Sequence, residues 1–132
     1  MDAQFVPKRT VLLVDDSKEL LDVLEIILRR YGYNVIAKDS PANVPDLVRQ
    51  VKIDLLLLDV RLKNVSGRFI CKELKANPHT SYFPIILMSS SPNYAVNYEE
   101  CGAVDFIEKP FDLVELVAKI NKHMRASLIN RV

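Results

Sequence analysis

The chain has 132 residues, 49% of them hydrophobic and 27% charged, with a formal net charge of +1. That length suits one domain able to bury a core, and the even charge balance gives no electrostatic case for nucleic acid or an anionic membrane as partner. No apolar run approaches the ~20 residues of a membrane span. Met1 to Thr10 lacks the apolar stretch of a secretory leader, so the cytoplasm is the expected address. Cys71 and Cys101 have neither close spacing nor a metal-ligand pattern around them, and both read as reduced core thiols.

The apolar run Thr10 to Val14, closed by two aspartates, predicts a buried first strand. From Ser17 to Tyr31, the residues Leu20, Leu21, Leu24, Ile27, Leu28 and Tyr31 recur at helical spacing, with Lys18, Glu19, Asp22, Glu25 and Arg29 on the other face. Asp16 is the expected cap of this first helix, with Glu19 three residues on, and Gly32 ends it. Tyr33 to Ala37 predicts the second strand. Ser40-Pro41 marks a helix start, and Pro45 confines the regular part of the second helix to Val44 to Val51. Ile53 to Leu58, the most hydrophobic stretch, ends at Asp59 and suits a central parallel strand covered on both faces. A loop from Val60 to Ser66 leads into a third helix, Gly67 to Ala76. Pro84 to Met88 is the fourth strand, and a short fourth helix falls near Asn93 to Cys101. Asp105 to Glu108 is the fifth strand. The fifth helix, Asp112 to about Met124, carries Leu113, Leu116, Val117, Ile120 and Met124 on one face.

Five strands alternating with five helices imply an α/β domain, a doubly wound parallel sheet with helices on both sides. By analogy with open sheets of this class we expect the flavodoxin-like order 2-1-3-4-5. The domain is expected over residues 10–125, with 1–9 as an N-terminal leader and 126–132 as a C-terminal tail.

In such sheets the site lies beyond the carboxyl ends of the strands. Asp15 and Asp16 end the first strand, Asp59 the third, Ser89 the fourth and Lys109 the fifth. Carboxylates converging in one cleft repel each other unless a cation or protons intervene. A hard divalent ion with oxygen ligands answers that, and magnesium is the usual one where phosphate is the partner. Lys109 adds a second positive charge, enough with the metal to neutralise a phosphoryl group in transit.

Asp15-Asp16 after a strand, Asp59 after four leucines, Ser89 after Ile-Ile-Leu-Met, and Lys109-Pro110-Phe111 together resemble the receiver domains of two-component response regulators, of the chemotaxis-regulator type. The resemblance runs from about Thr10 to Met124. It implies that Asp59 is phosphorylated by a histidine kinase or phosphotransfer protein. It implies further that Asp16, Asp59 and the backbone carbonyl of Arg61 hold magnesium, with Asp15 assisting mostly through water. The domain then assists its own phosphorylation and dephosphorylation rather than acting as an enzyme on others. Ser89 would move to hydrogen-bond the phosphoryl group, with Phe106 as an aromatic switch behind it. The Lys109-Pro110 peptide is similar to the family's usual cis bond. A downstream protein, or a second copy, would dock on the face of the fourth helix, fifth strand and fifth helix, where Tyr94 and Tyr98 stand four apart.

Each residue also has a plainer structural role. Asp16 reads as a cap, although capping leaves Asp15 without a reason. Ser89-Ser90-Ser91 reads as a loop before Pro92, Phe106 as core, and Tyr94 and Tyr98 as inward-facing. His79 and His123 read as solvated surface. The family's usual proline four residues after the phosphoacceptor is Lys63 here, which predicts a less rigid loop. Arg61 places a long cation within reach of phosphoryl oxygens or a nearby carboxylate. A haloacid-dehalogenase-type phosphatase would want an aspartate where Arg61 stands. A nucleotide- or flavin-binding domain would want a Gly-rich turn after the first strand, and the three glycines lie at 32, 67 and 102. A degenerate receiver serving only as a docking module is the alternative within the fold, and the complete aspartate set with Lys109 opposes it.

Overall fold

A strand covered on both faces has no place for polar side chains, and Leu55 to Leu58 offers none; all four residues are fully shielded from solvent. The computed structural model describes residues 7–91 and 97–130, the last five as backbone alone. The chain order is β1 (Thr10–Val14), α1 (Lys18–Arg30), β2 (Asn34–Lys38), α2 (Val44–Gln50) and β3 (Leu55–Asp59). A small hairpin follows, β4 (Arg61–Leu62) and β5 (Val65–Ser66), then α3 (Gly67–Ala76), β6 (Ile85–Ser89), a 3-10 turn (Tyr98–Cys101), β7 (Asp105–Glu108) and α4 (Leu113–Asn130). The five long strands form one parallel sheet in the order β2-β1-β3-β6-β7, the doubly wound order expected from the sequence.

Alternation along each strand divides the core between the two faces. Val11, Leu13, Leu55, Leu57, Ile86, Met88 and Ile107 meet Leu21, Leu24 and Leu28 of α1 and Leu116, Val117, Ile120 and Met124 of α4. Leu12, Val14, Leu56, Leu58, Ile85, Leu87 and Phe106 meet Val44 and Val48 of α2 and Ile70, Cys71 and Leu74 of α3. Each fully buried Leu or Ile contributes roughly 1.5–3 kcal/mol. None of the described helices is long and apolar enough to cross a membrane.

Four expectations need correction. The cap of α1 is Ser17, whose hydroxyl accepts from the Leu20 N–H at 3.3 Å, while the Ser17 N–H donates to Asp15 Oδ1 at 2.8 Å. Asp16 is thereby left out of capping. Tyr31 is 58% exposed rather than part of the buried face, because α1 ends at Arg30 and Tyr31 is its C-cap, followed by Gly32 at φ +94°. The fourth helix is represented among the described residues only by the 3-10 turn. Asn97 (φ +57°) and Gly102 (φ +96°) bracket that turn in left-handed conformation, which an α-helix cannot run through. Tyr98 packs against the core, as its plainer reading has it, and Tyr94 lies outside the described residues. Finally, α4 continues past Met124 to Asn130, since no proline or glycine intervenes to stop it.

His123 is also not a solvated surface residue. Its Nε2 lies 2.8 Å from Asp105 Oδ2, and Lys119 Nζ donates to Asp105 Oδ1 at 3.1 Å and to the Phe106 carbonyl at 2.6 Å. Burial alone would raise the Asp105 carboxyl. Hydrogen bonds from His123, the Phe106 N–H and Lys119 outweigh it and hold the group below its usual range. A depressed carboxyl contributes stability above the unfolded value of ~3.9 and loses it as pH falls through the folded one. Asp105→Asn is therefore expected to cost about 1–3 kcal/mol at pH 7. The cost should stay level down to about the unfolded value of ~3.9 and shrink only as the pH falls further, through the lower folded value, as urea titrations of both proteins at pH 7 and over a descending acid series would show.

Candidate functional site

The register of the sheet brings the polar strand ends to one edge. Val14 pairs with Leu58, Asp59 with Met88, and Ser89 with Glu108, so Asp15, Asp59, Ser89 and Lys109 leave neighbouring strands at the same end. The backbone holds them there. Asp15 N–H donates to the Lys38 carbonyl at 3.2 Å, Val60 N–H to Met88 at 2.9 Å, and Lys109 N–H to Ser89 at 2.8 Å.

Carboxylate oxygens of Asp15, Asp16 and Asp59 all lie within 4.8 Å of one another. Asp15 is fully buried and Asp59 nearly so, at 0% and 5% exposure, while Asp16 faces solvent. Lys109 reaches in from the β7 side, with Nζ 2.6 Å from Asp15 Oδ2 and 3.7 Å from Asp59 Oδ1, and its peptide to Pro110 is cis. The Arg61 N–H adds a 3.3 Å hydrogen bond to Asp59 Oδ1. Burial pushes the Asp59 carboxyl up, the Asp15 charge pushes it further, and Lys109 and the Arg61 N–H only partly oppose them. This site is short of positive charge. Its donor set, three clustered carboxylates open to solvent on the Asp16 side, fits a hard divalent cation such as magnesium.

Ser89 is buried at the end of β6, and its hydroxyl accepts from the Ser91 N–H at 3.1 Å. Phe106 points into the core with 8% exposure. The Arg61 side chain is exposed. The loop carrying Lys63 is closed by the β4–β5 pairing, Arg61 opposite Ser66 and Leu62 opposite Val65, with Asn64 at φ +67° in the turn.

Gly67 is a site residue the sequence did not mark as one. It opens α3 eight positions after Asp59, and its N–H donates to the Val60 carbonyl at 2.8 Å. A Cβ there would lie 2.1 Å from the Asp59 carbonyl oxygen and 2.9 Å from Val60 Cα. The glycine thus lets the helix approach the peptide that carries the central carboxylate. One clue was available: glycine is a poor helix former, and its place at the head of a helix called for a reason.

Known proteins of this shape give the site its context. A response regulator of Chloroflexus aurantiacus is 29% identical, with 90% of this chain and 99% of that one covered at a TM-score of 0.84. The signal receiver domain of a signal transduction histidine kinase from Syntrophus aciditrophicus is also 29% identical, with 89% and 91% covered and a TM-score of 0.81. The BeF3-activated N-terminal receiver domain of Klebsiella pneumoniae RstA is 25% identical over 89% of this chain and 99% of that one, at 0.80. The family described as response regulator receiver domain matches residues 11–121. That span runs from the first buried residue of β1 into α4 and takes in the entire cleft, so the chain belongs to the response regulator receiver domains of two-component signal transduction.

Proposed function

We propose that Asp59 is the phosphoacceptor, and that a histidine kinase or phosphotransfer protein in the cytoplasm is the donor. The observation that carries this reading is the position of Asp59: a nearly buried carboxylate flanked by Lys109 at 3.7 Å and by two further carboxylates. In the transfer an Asp59 oxygen forms the new bond to phosphorus as the donor's bond to phosphorus breaks. Asp15, Asp16 and Asp59, with the Arg61 carbonyl, would hold magnesium, which when bound neutralises charge on the phosphoryl oxygens. Lys109 holds Asp15 in place and offers its ammonium to the same oxygens. Ser89 supplies a hydroxyl at the cleft's edge, and Phe106 behind it couples the site to the face of the 3-10 turn, β7 and α4. A downstream protein or a second copy of the chain binds that face. The same residues assist loss of the phosphoryl group to water.

Asp59→Asn keeps the shape and removes the nucleophile. With acetyl phosphate and magnesium the parent should gain one phosphoryl mass and the variant none; equal gain in both would overturn the assignment. The variant should also be the more stable protein without metal. A carboxyl whose folded value is raised costs stability as pH rises from ~3.9 through the folded value. Removing its charge at pH 7 relieves roughly 1 kcal/mol of repulsion, a rise of about 4 °C in Tm for a domain of this size. Magnesium should narrow the gap by stabilising the parent.

A further inference from the structure

The two cysteines, 30 residues apart in sequence, meet in the fold. Cys71 Sγ donates to the Cys101 carbonyl at 3.3 Å, and Cys101 Sγ donates to the Tyr98 carbonyl at 3.2 Å. Cys71 lies at full burial on the inner face of α3, while Cys101, at 7% exposure, ends the 3-10 turn. Cys101 also lines a shallow surface groove of about 220 Å³ with Arg68, Phe69, Lys72 and Glu100. The groove thus opens onto Cys101, and the fully buried Cys71 meets that residue from the inner side. Burial and the hydrogen bond to Cys101 push the Cys71 thiol up, which keeps it protonated while Cys101 reacts.

We propose that Cys71 and Cys101 form an oxidisable dithiol whose oxidant is a hydroperoxide entering by this groove. The Cys101 sulfur attacks the peroxide and the O–O bond breaks, leaving a sulfenic acid and one water or alcohol. Cys71 sulfur then attacks the sulfenyl sulfur. The S–S bond forms, the S–O bond breaks, and the hydroxyl leaves as water with the Cys71 proton. Two electrons pass from the thiols to the peroxide. The product ties α3, whose first residue supports the Asp59 peptide, to the turn that feeds β7.

The test uses the full chain, reduced and then treated with hydrogen peroxide beside free glutathione as a reference thiol. Intact mass should fall by about 2 Da, with both cysteines then refusing alkylation after denaturation. Cys71→Ala should accumulate a sulfenic acid at position 101 that dimedone traps, and Cys101→Ala should leave Cys71 reduced. Cys71→Ser and Cys101→Ser serve if either alanine variant fails to fold. Two free thiols in the parent after the glutathione is fully oxidised would overturn the proposal. So would addition of oxygen without loss of the alkylatable Cys71, or dimedone capture at Cys71 instead of Cys101.

Discussion

Replacing Gly67 with alanine is expected to destabilise the protein by about 3 kcal/mol, at the upper end for overpacking, and to slow phosphorylation of Asp59 with it. The added methyl meets backbone, the Asp59 carbonyl at 2.1 Å, and not the end of a flexible side chain. Either α3 backs away or the Asp59 peptide does. In the first case the hydrogen bond from the Gly67 N–H to the Val60 carbonyl is lost, and in the second the carboxylate leaves its place beside Lys109. Gly32→Ala is the matched control. Nothing lies within 4 Å of a Cβ there, although φ is +94°, so its cost should stay near the roughly 1–2 kcal/mol of a left-handed alanine. Its phosphorylation rate should equal the parent's. Urea titrations and acetyl phosphate time courses on both variants check this, and a Gly67→Ala protein with parental stability would contradict the close approach.

Lys109→Met should have the second large effect, and one that magnesium separates into parts. Methionine fills similar space without the charge, leaving Asp15 and Asp59 shielded from water and without their shared cation. Breaking a buried ion pair from one side costs about 3 kcal/mol or more, so the metal-free variant should melt well below the parent. Magnesium restores positive charge to the same carboxylates and should return most of that loss. It should not return the rate. At saturating magnesium, phosphorylation should remain slower by on the order of a hundredfold, the usual consequence of removing one charged donor from a transferring group. A variant with parental rate would show that Lys109 holds the fold and nothing more.

Much of this was legible in the sequence because a parallel strand covered on both faces must be a continuous apolar run. Leu55 to Leu58 and Ile85 to Met88 are such runs, and the first polar residue after each falls by necessity at the same edge of the sheet. The cleft followed from that register. What the sequence hid were contacts between residues far apart along the chain. His123 stands on the helix face that reads as solvated, and only the packing of α4 on β7 brings it to Asp105, 18 residues away. Cys71 and Cys101 meet because α3 and the 3-10 turn are neighbours in space. Gly67 matters through an approach of two backbones that no periodicity encodes. Asp16 reads from spacing as a cap as well as a member of the acidic cleft; Ser17, one residue on, has the capping geometry, and Asp16 stands with Asp15 and Asp59.

The central claim is the identity of the phosphorylated side chain, and localisation tests it most directly. Protein phosphorylated with acetyl phosphate and magnesium, then reduced with borohydride, converts an aspartyl phosphate to homoserine, which peptide mass spectrometry places in the sequence. The account predicts homoserine at position 59 and unmodified aspartate at 15 and 16. Homoserine at 15 or 16 with Asp59 intact would contradict it.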